Sequence, residues 1–572
     1  MPFFAAVVLI LLIAVIMIIS FFIEKYSPSK EIADYRNYYS VGGEDQVAIL
    51  LNDELLEAKG KLIDGEVYVD TEFLYQNLNS RFYWDSQENI LLYALPTELV
   101  TAAAGNNEYT VGKEKRSESY APVRLDGETA YVALRYIKNY TAMDVTYYDE
   151  PVHRVYIDTE YGTMKTVEVK KDTQVRDRAD IKRPILTEVT KGSKLYVMEE
   201  IEEVEGWTRV RTEDGFIGYV QKKRISAEPK EETRTSDFEE PVYTNISKEY
   251  SINMAWHQVT NASANENIYR VLADAKGLNT ISPTWFYLKD SEGGIESLAS
   301  QEYVNHCHQN GIEVWGLVED ITYKDTISHA EIFTKTTNRQ RLVNNLIAQA
   351  IQYDLDGINL DMEYISVDIG RAYVEFIREL SIMCRVNGIV LSVDNYVPAE
   401  YNRYYNRAEQ GVFADYVIIM GYDETPKGSN TAGSVASIGF VRQGIENTLQ
   451  EVPAEKIINA VPFYTRVWKV SPSVEEGAVD GYLAVCEAEV GMDGADKYVS
   501  NNGAEKNWSE EHGQYYAEYE IEGDIYQIWL EDERSIEEKA KLIKEYQLAG
   551  IAAWKLGFER SSIWDIILKY VN

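Results

Sequence analysis

Residues 354–365 read "DLDGINLDMEYI", with Asp356, Asn359, Asp361 and Glu363 set inside an otherwise apolar run. Side chains alternate across a strand, so Ile358, Leu360 and Met362 face one way and Asn359, Asp361 and Glu363 the other. On a surface antiparallel strand the polar face would simply meet water. The choice between that bland reading and a buried acidic face depends on the neighbouring sequence.

From about residue 245 to 572, strand patterns alternate with amphipathic stretches. The candidate strands are "INMAW" (252), "NTISPTWF" (279), "IEVWGLV" (312), "GINLDME" (357), "IVLSVD" (389), "DYVIIMGY" (415), "KIINAVPFY" (456) and "IAAWKLG" (551). Between them lie stretches such as "NRQRLVNNLIAQAIQY" and "RAYVEFIRELSIMCRVN". Eight such units predict an α/β fold, a closed parallel (β/α)8 TIM barrel. One long departure, about 468–530, is rich in Tyr, Glu and Gly and reads as a small α+β lobe inserted between strands seven and eight. In a parallel barrel both strand faces are covered, so Asn359, Asp361 and Glu363 point inward and climb toward the C-terminal mouth. Buried acids are costly unless bonded or neutralised, and two so close repel, which raises the pKa of one of them. Such a pair provides a proton donor near neutral pH. Asp356 has the opposite parity and is expected at the strand entry, in a structural role.

"DGINLDME" (356–363) resembles the DGxDxDxE signature of glycoside hydrolase family 18, the chitinase-like barrels. "MGYD" (420–423) is similar to the family's sixth-strand motif, "AVPFYTRVW" (460–468) to its seventh strand, and "GIAAWKLG" (550–557) carries the eighth-strand Trp554. The resemblance covers about 245–572 and includes the bacterial wall-acting members, such as spore cortex N-acetylglucosaminidases. It implies retaining, substrate-assisted hydrolysis, in which the sugar's own acetamido oxygen attacks its anomeric carbon. On that implication Glu363 is the acid and base, and Asp361 holds the acetamido N–H. Tyr422 bonds the acetamido group with Asp423 close by, Trp554 floors the sugar, and Met420 is pocket wall. Asn359 stands where many chitinases have Asp. An amide cannot take up a proton at useful pH, but it can donate a hydrogen bond to Asp361, and that is the expected contact. The change bears on rate and pH optimum.

The 21 residues "FFAAVVLILLIAVIMIISFFI" (3–23) carry no charge and are long enough to cross a bilayer. "FFIEKYSPSKE" follows without a small-x-small exit, which favours an uncleaved anchor (1–25) over a signal peptide. Residues 35–160 hold an internal repeat: "GEVYVDTEFLYQNLNSRFYWDSQENILLY" (65–93) parallels "GETAYVALRYIKNYTAMDVTYYDEPVHRVYI" (127–157). This duplicated α+β module resembles the N-terminal module of some copper amine oxidases, without a His cluster that would hold copper. Residues 163–227 alternate short apolar runs with turn signals and resemble bacterial SH3-like domains. The charged "AEPKEETRTSDFEEPVY" (227–243) marks an expected linker, 228–244, before the barrel at 245–572.

The formal net charge of −37 argues against nucleic acid and anionic lipid as partners. Only three cysteines occur, far apart, which gives no disulfide framework. In "HCH" (306–308) the two histidines do not share a helix face, so no metal site is expected there, and no cofactor is implied. Trp256, Trp285 and Trp315 are expected in the core. Tyr287, Phe463 and Tyr464 are candidates for the cleft, with Asp394 and Glu531 as supporting groups. The leading expectation is a membrane-anchored extracellular glycosidase cutting β-1,4 bonds in N-acetylglucosamine-containing glycans, such as peptidoglycan. A chitinase, an endo-β-N-acetylglucosaminidase and an inactive sugar-binding barrel are the alternatives.

Overall fold

The computed structural model describes residues 2–198 and 204–571. Residues 199–203, inside the region expected to be SH3-like, lie outside that range. The chain divides into two compact units, one of residues 1–82 and 102–241 and one of residues 83–101 and 242–572.

The first unit begins with the helix Pro2–Tyr26, whose Ala6–Tyr26 stretch has a mean hydropathy of 3.4 and is long and apolar enough to cross a membrane. A seven-stranded sheet then combines both copies of the repeat. The equivalent strands Glu66–Asp70 and Thr129–Ala133 pair antiparallel, Val69 opposite Val132, so the two copies meet along one backbone ladder. A second seven-stranded sheet covers the region expected to be SH3-like, around Val167, Val175, Leu195, Val210 and Val220.

Two expected boundaries move. The linker expected at 228–244 begins with a strand, Lys230–Arg234, which pairs with Gly162–Glu168 at the sheet edge. Apolar poverty argues against a buried element, but an edge strand bonds through its backbone while its charged side chains stay in water. The segment Tyr83–Thr101, expected in the duplicated module, groups with the barrel. Its buried Asp85 accepts bonds from Thr336 N and Thr336 Oγ1, both at 2.6 Å, at the start of helix Thr336–Tyr353. That helix has no capping side chain of its own, since Lys335 occupies the position. A carboxylate from elsewhere in the chain supplies the missing acceptor.

In the second unit eight parallel strands close into a barrel. They are β1 (Ile252–His257), β2 (Thr280–Leu288), β3 (Glu313–Glu319), β4 (Gly357–Asp361), β5 (Val390–Tyr396), β6 (Tyr416–Met420), β7 (Ile457–Pro462) and β8 (Gly550–Trp554). Each pairs with the next, and β8 pairs back to β1. Ile358, Leu360 and Met362 join the outer core with helix residues such as Leu346, Ile347, Phe376 and Leu380. A separate inner cluster of Met254, Trp256, Trp315, Leu317, Tyr416, Ile418 and Ala552 fills the barrel. Trp256, Trp285 and Trp315 are all fully buried, as expected.

The inserted lobe is a five-stranded antiparallel sheet with one helix, Met492–Asn501. It starts at Tyr464, directly after β7, with the hairpin Tyr464–Pro472 and Tyr482–Gly491. Closure of the barrel rests on a narrow seam. β1 and β8 share only the pairs Ile252–Gly550 and Asn253–Ile551, and a Cβ on Gly550 would collide with the Ile252 carbonyl oxygen. Gly550→Ala is therefore expected to cost about 1–3 kcal/mol, measured as a lower urea midpoint with an unchanged slope.

Candidate active site

Residues at or just beyond the ends of every barrel strand except β2 line one cleft of about 470 Å³, a size that suits a sugar ring with its substituents. Asp361 from β4, Met420 from β6, and Tyr422 and Asp423 just beyond it line the cleft with Glu363 and Trp554. Of the expected site residues, Asn359 alone is absent from the lining. It lies one rung deeper and has no exposed surface.

The parity of β4 explains the placement of Asp361, but the strand stops there, two residues short of Glu363. A clamp carries the chain onward. Asp320, beyond the end of β3, accepts the backbone N–H of Glu363 at 2.9 Å and that of Tyr364 at 3.0 Å. Tyr405 donates to the Met362 carbonyl at 2.9 Å. Glu363 is thus fixed by main-chain bonds rather than by strand alternation. Its Oε2 accepts a 2.7 Å hydrogen bond from the Tyr396 hydroxyl, which arrives from β5.

Asn359 is saturated. Its Oδ1 accepts from Trp256 Nε1 at 2.8 Å and from Ser282 Oγ at 2.9 Å. Its amide donates to Ser392 Oγ at 3.0 Å and to Asp394 Oδ1 at 2.7 Å. Because indole N–H can only donate, the amide orientation is settled: oxygen toward β1 and β2, nitrogen toward β5. The expected bond from Asn359 to Asp361 is therefore not made. Both amide protons go sideways along the rung to β5 instead of upward along β4. Among the described residues, Asp361 Oδ1 is buried with no hydrogen-bond partner.

Electrostatics follow from this crowding. Burial, then the charges of Asp394, Glu363, Asp320 and Glu319, push the Asp361 carboxyl well above its ordinary range. Glu363 is also raised, chiefly by burial, with the Tyr396 hydrogen bond pulling the other way and Asp320, Asp423 and Glu319 adding to the rise. A carboxyl that keeps its proton toward neutral pH can act as an acid. Burial likewise raises the Tyr422 hydroxyl well above its usual value and keeps it a neutral donor.

The rim was less legible. Tyr464, Arg466 and Glu489, all from the first hairpin of the lobe, line the cleft. Arg466 bridges Asp423 at 2.7 Å and Glu489 at 2.9 Å, and the Tyr464 hydroxyl also bonds Asp423. Asp423 sits at φ 62°, a strained conformation for a residue that is not glycine. The other candidate positions fall elsewhere. Tyr287 donates to the Val259 carbonyl at 2.8 Å, and Phe463 packs edge-on to Trp564. Glu531 is not a supporting group: it is buried in an ion pair with Lys539 at 2.9 Å and bonds Gln514 and Ser535, none of which line the cleft. Asp356 sits below β4, where it bonds Val314 N at 2.8 Å and His308 at 2.9 Å, while His306 packs on Tyr269. Tyr396 was overlooked, although Ser392, Asp394 and Tyr396 share one parity on β5 and the alternation rule reaches all three.

Comparison with known proteins fits this geometry. Residues 314–559 match the family model described as glycosyl hydrolases family 18. The barrel belongs to glycoside hydrolase family 18. Residues 50–157 match the copper amine oxidase N-terminal domain. Across 307 residues the chain is 24% identical to the uncharacterized glycosylase YvbX of Bacillus subtilis, covering 51% of this chain and 84% of that protein. It is 27% identical over 261 residues to the cortical fragment-lytic enzyme of the same organism, covering 45% of this chain and 58% of the relative. The C-terminal domain of a candidate chitinase from Desulfitobacterium hafniense DCB-2 superposes with a TM-score of 0.50 at 18% identity, covering 57% of this chain and all of that one, and shares the fold. The family 18 barrel thus places Asp361 and Glu363 together above a saturated amide. Asn359→Ala would orphan the Trp256 N–H, two hydroxyls and Asp394, and is expected to lower stability by about 2–4 kcal/mol in chemical denaturation.

Proposed function

We propose that the barrel hydrolyses β-1,4 bonds of N-acetylglucosamine-containing glycans, with peptidoglycan as the natural class, by a retaining mechanism in which the substrate's acetamido group is the nucleophile. The observation that carries this reading is the pairing of a raised, hydroxyl-bonded Glu363 with a raised, cleft-facing Asp361 beside Tyr422 and Trp554. Glu363 gives its proton to the departing glycosidic oxygen while the acetamido oxygen bonds to the anomeric carbon. Asp361 accepts the acetamido N–H and stabilises the positive oxazolinium-like ring. Tyr422 donates to the acetamido oxygen, and the Trp554 ring supports the apolar sugar face. Glu363, now ionised, then takes a proton from the water that opens the ring. Each carboxylate interaction strengthens as charge develops, which is where catalytic energy is effective.

Lys555 favours an anionic glycan. It lines the cleft next to Trp554, its side-chain hydrogen bond goes to the neutral Gln258, and burial holds its pKa below the usual value. A muramic-acid carboxylate would complement it, whereas chitin offers no charge. The apolar helix Pro2–Tyr26 supports attachment to a bilayer, and the proposed substrate, which lies outside the cell, puts the barrel on the extracellular side. The duplicated module (35–160) and the SH3-like region (163–227) would then serve as spacers between the anchor (1–25) and the barrel (245–572). Hydrolysis of chitin-like oligomers by the same site is the second reading, supported by the neutral lining of Tyr422, Met420 and Trp554.

Purified glycan strands digested and examined by mass spectrometry are expected to yield new reducing-end N-acetylglucosamine. Glu363→Gln is expected to lower kcat by about 10²–10⁴-fold, and an equally active variant would remove Glu363 from the reaction. Tyr396→Phe deletes a bond that favours ionised Glu363, so the Glu363 pKa rises further. Activity needs the protonated form, so the alkaline limb of kcat/KM is expected to move to higher pH.

A further inference from the structure

β5 brings a second carboxyl to the rung of Asp361. β4 and β5 run parallel with Asn359 opposite Ser392 and Leu360 opposite Val393. One step further along each strand come Asp361 and Asp394. Side chains on the same rung of a parallel ladder share a face, and the strands lie about 4.8 Å apart. Asp394 is 2% exposed, and its Oδ1 is tied to the Asn359 amide at 2.7 Å. Asp361 Oδ1, buried and without a partner among the described residues, is the remaining acceptor on that rung.

The groups that face this pair are mostly acidic or neutral. Glu319 and Asp320 come from the end of β3, Glu363 from beyond β4, Tyr396 from β5, and Tyr422 and Asp423 from beyond β6. The cations nearby bond elsewhere, Arg466 to Asp423 and Glu489, Lys324 to the Tyr364 hydroxyl and Lys555 to Gln258, and the His329 ring lies against Asp320 at 3.2 Å. Two buried carboxylates on one rung cannot both ionise without a cation. Two neutral carboxyls would leave Asp361 without the charge its proposed role needs.

We propose that Asp394 is a positioning residue that holds one proton jointly with Asp361 and so supplies, from β5, the second carboxyl that Asn359 cannot provide. The proposal rests on the reading in which Asp361 accepts the substrate's amide N–H. When the amide arrives, the shared proton resides on Asp394 and Asp361 carries the negative charge. When product leaves, the proton is shared again. No proton is gained or lost, and the pair keeps a charge of −1 throughout. Burial pushes both carboxyls well above their usual range, with the charge of Asp394 adding to the rise at Asp361 and that of Glu363 at both, which agrees with one retained proton on this rung.

The test combines turnover of an aryl N,N′-diacetylchitobioside with infrared spectroscopy of protonated carboxyl groups at neutral pH. Asp394→Asn keeps an oxygen for the Asn359 amide but removes the titrating neighbour. Asp361 then loses the acidic O–H that shares its charge and ionises less easily, so the acid limb of kcat/KM is expected to rise by about one pH unit. With no proton to exchange, kcat is expected to drop about tenfold or more. Adding Asn359→Asp restores a carboxyl on the neighbouring rung and is expected to recover both. Glu363 contributes its own protonated-carboxyl band, assigned by its loss in Glu363→Gln; a separate band of the wild type is expected to vanish in Asp394→Asn and in Asp361→Asn and to return in the double variant. A pH profile and band for Asp394→Asn that superimpose on the wild type would overturn the proposal, as would a loss that Asn359→Asp leaves unrepaired. If the wild type fails to cut the chitobioside, the proposed reaction fails for that substrate. The infrared band then decides the shared proton alone, its persistence in both single variants overturning it.

Discussion

A closed parallel barrel has no wet face, so every polar side chain that alternation sends inward must find its partners inside. Asn359 meets that demand completely, spending both acceptor sites on Trp256 and Ser282 and both donors on Ser392 and Asp394. An unpaired buried polar atom costs about 1–3 kcal/mol, so this amide ties β4 to β5 and, across the barrel interior, to β1 and β2. The rung above inherits its geometry: Asp361 and Asp394 lie where the Asn359 network holds β4 and β5.

Chemistry gathers at the mouth because there the ladder ends and loops take over the positioning. Asp320 and Tyr405 hold the main chain after β4, and Tyr396 meets the Glu363 carboxyl from β5. Gly421 permits the next part of the wall, since a Cβ there would press on the Ala460 carbonyl at 2.8 Å and on the Asn459 side chain. The inserted lobe completes the rim with Tyr464, Arg466 and Glu489, and its ion pairs fix Asp423 in a strained backbone conformation. Burial and the neighbouring acids Asp320, Asp423 and Glu319 thus raise the pKa of the proposed proton donor above that of an exposed glutamate.

All eight barrel strands and the inserted lobe were readable in the sequence, because period-two alternation and strand–helix rhythm are local signals. The inward set on β4 was readable for the same reason, and six of the seven site residues named from the sequence line one cleft. Cross-strand partners were not. Whether the Asn359 amide turns up β4 or across to β5 depends on an indole N–H from Trp256, more than one hundred residues away in sequence. The grouping of Tyr83–Thr101 with the barrel depends likewise on Asp85 meeting a helix start some 250 residues later. The strand Lys230–Arg234 escaped because its charged side chains read as unstructured linker, while only its backbone takes part in the sheet.

The most direct test of the central idea is a crystal structure of the protein with the thiazoline analogue of N-acetylglucosamine, a stable mimic of the oxazolinium ring. The account places the sugar on Trp554, with the thiazoline nitrogen within hydrogen-bond distance of the Asp361 carboxylate and the Glu363 carboxyl beside the anomeric carbon. A thiazoline that fails to bind, or one seated with its ring away from Asp361 and Glu363, would contradict it.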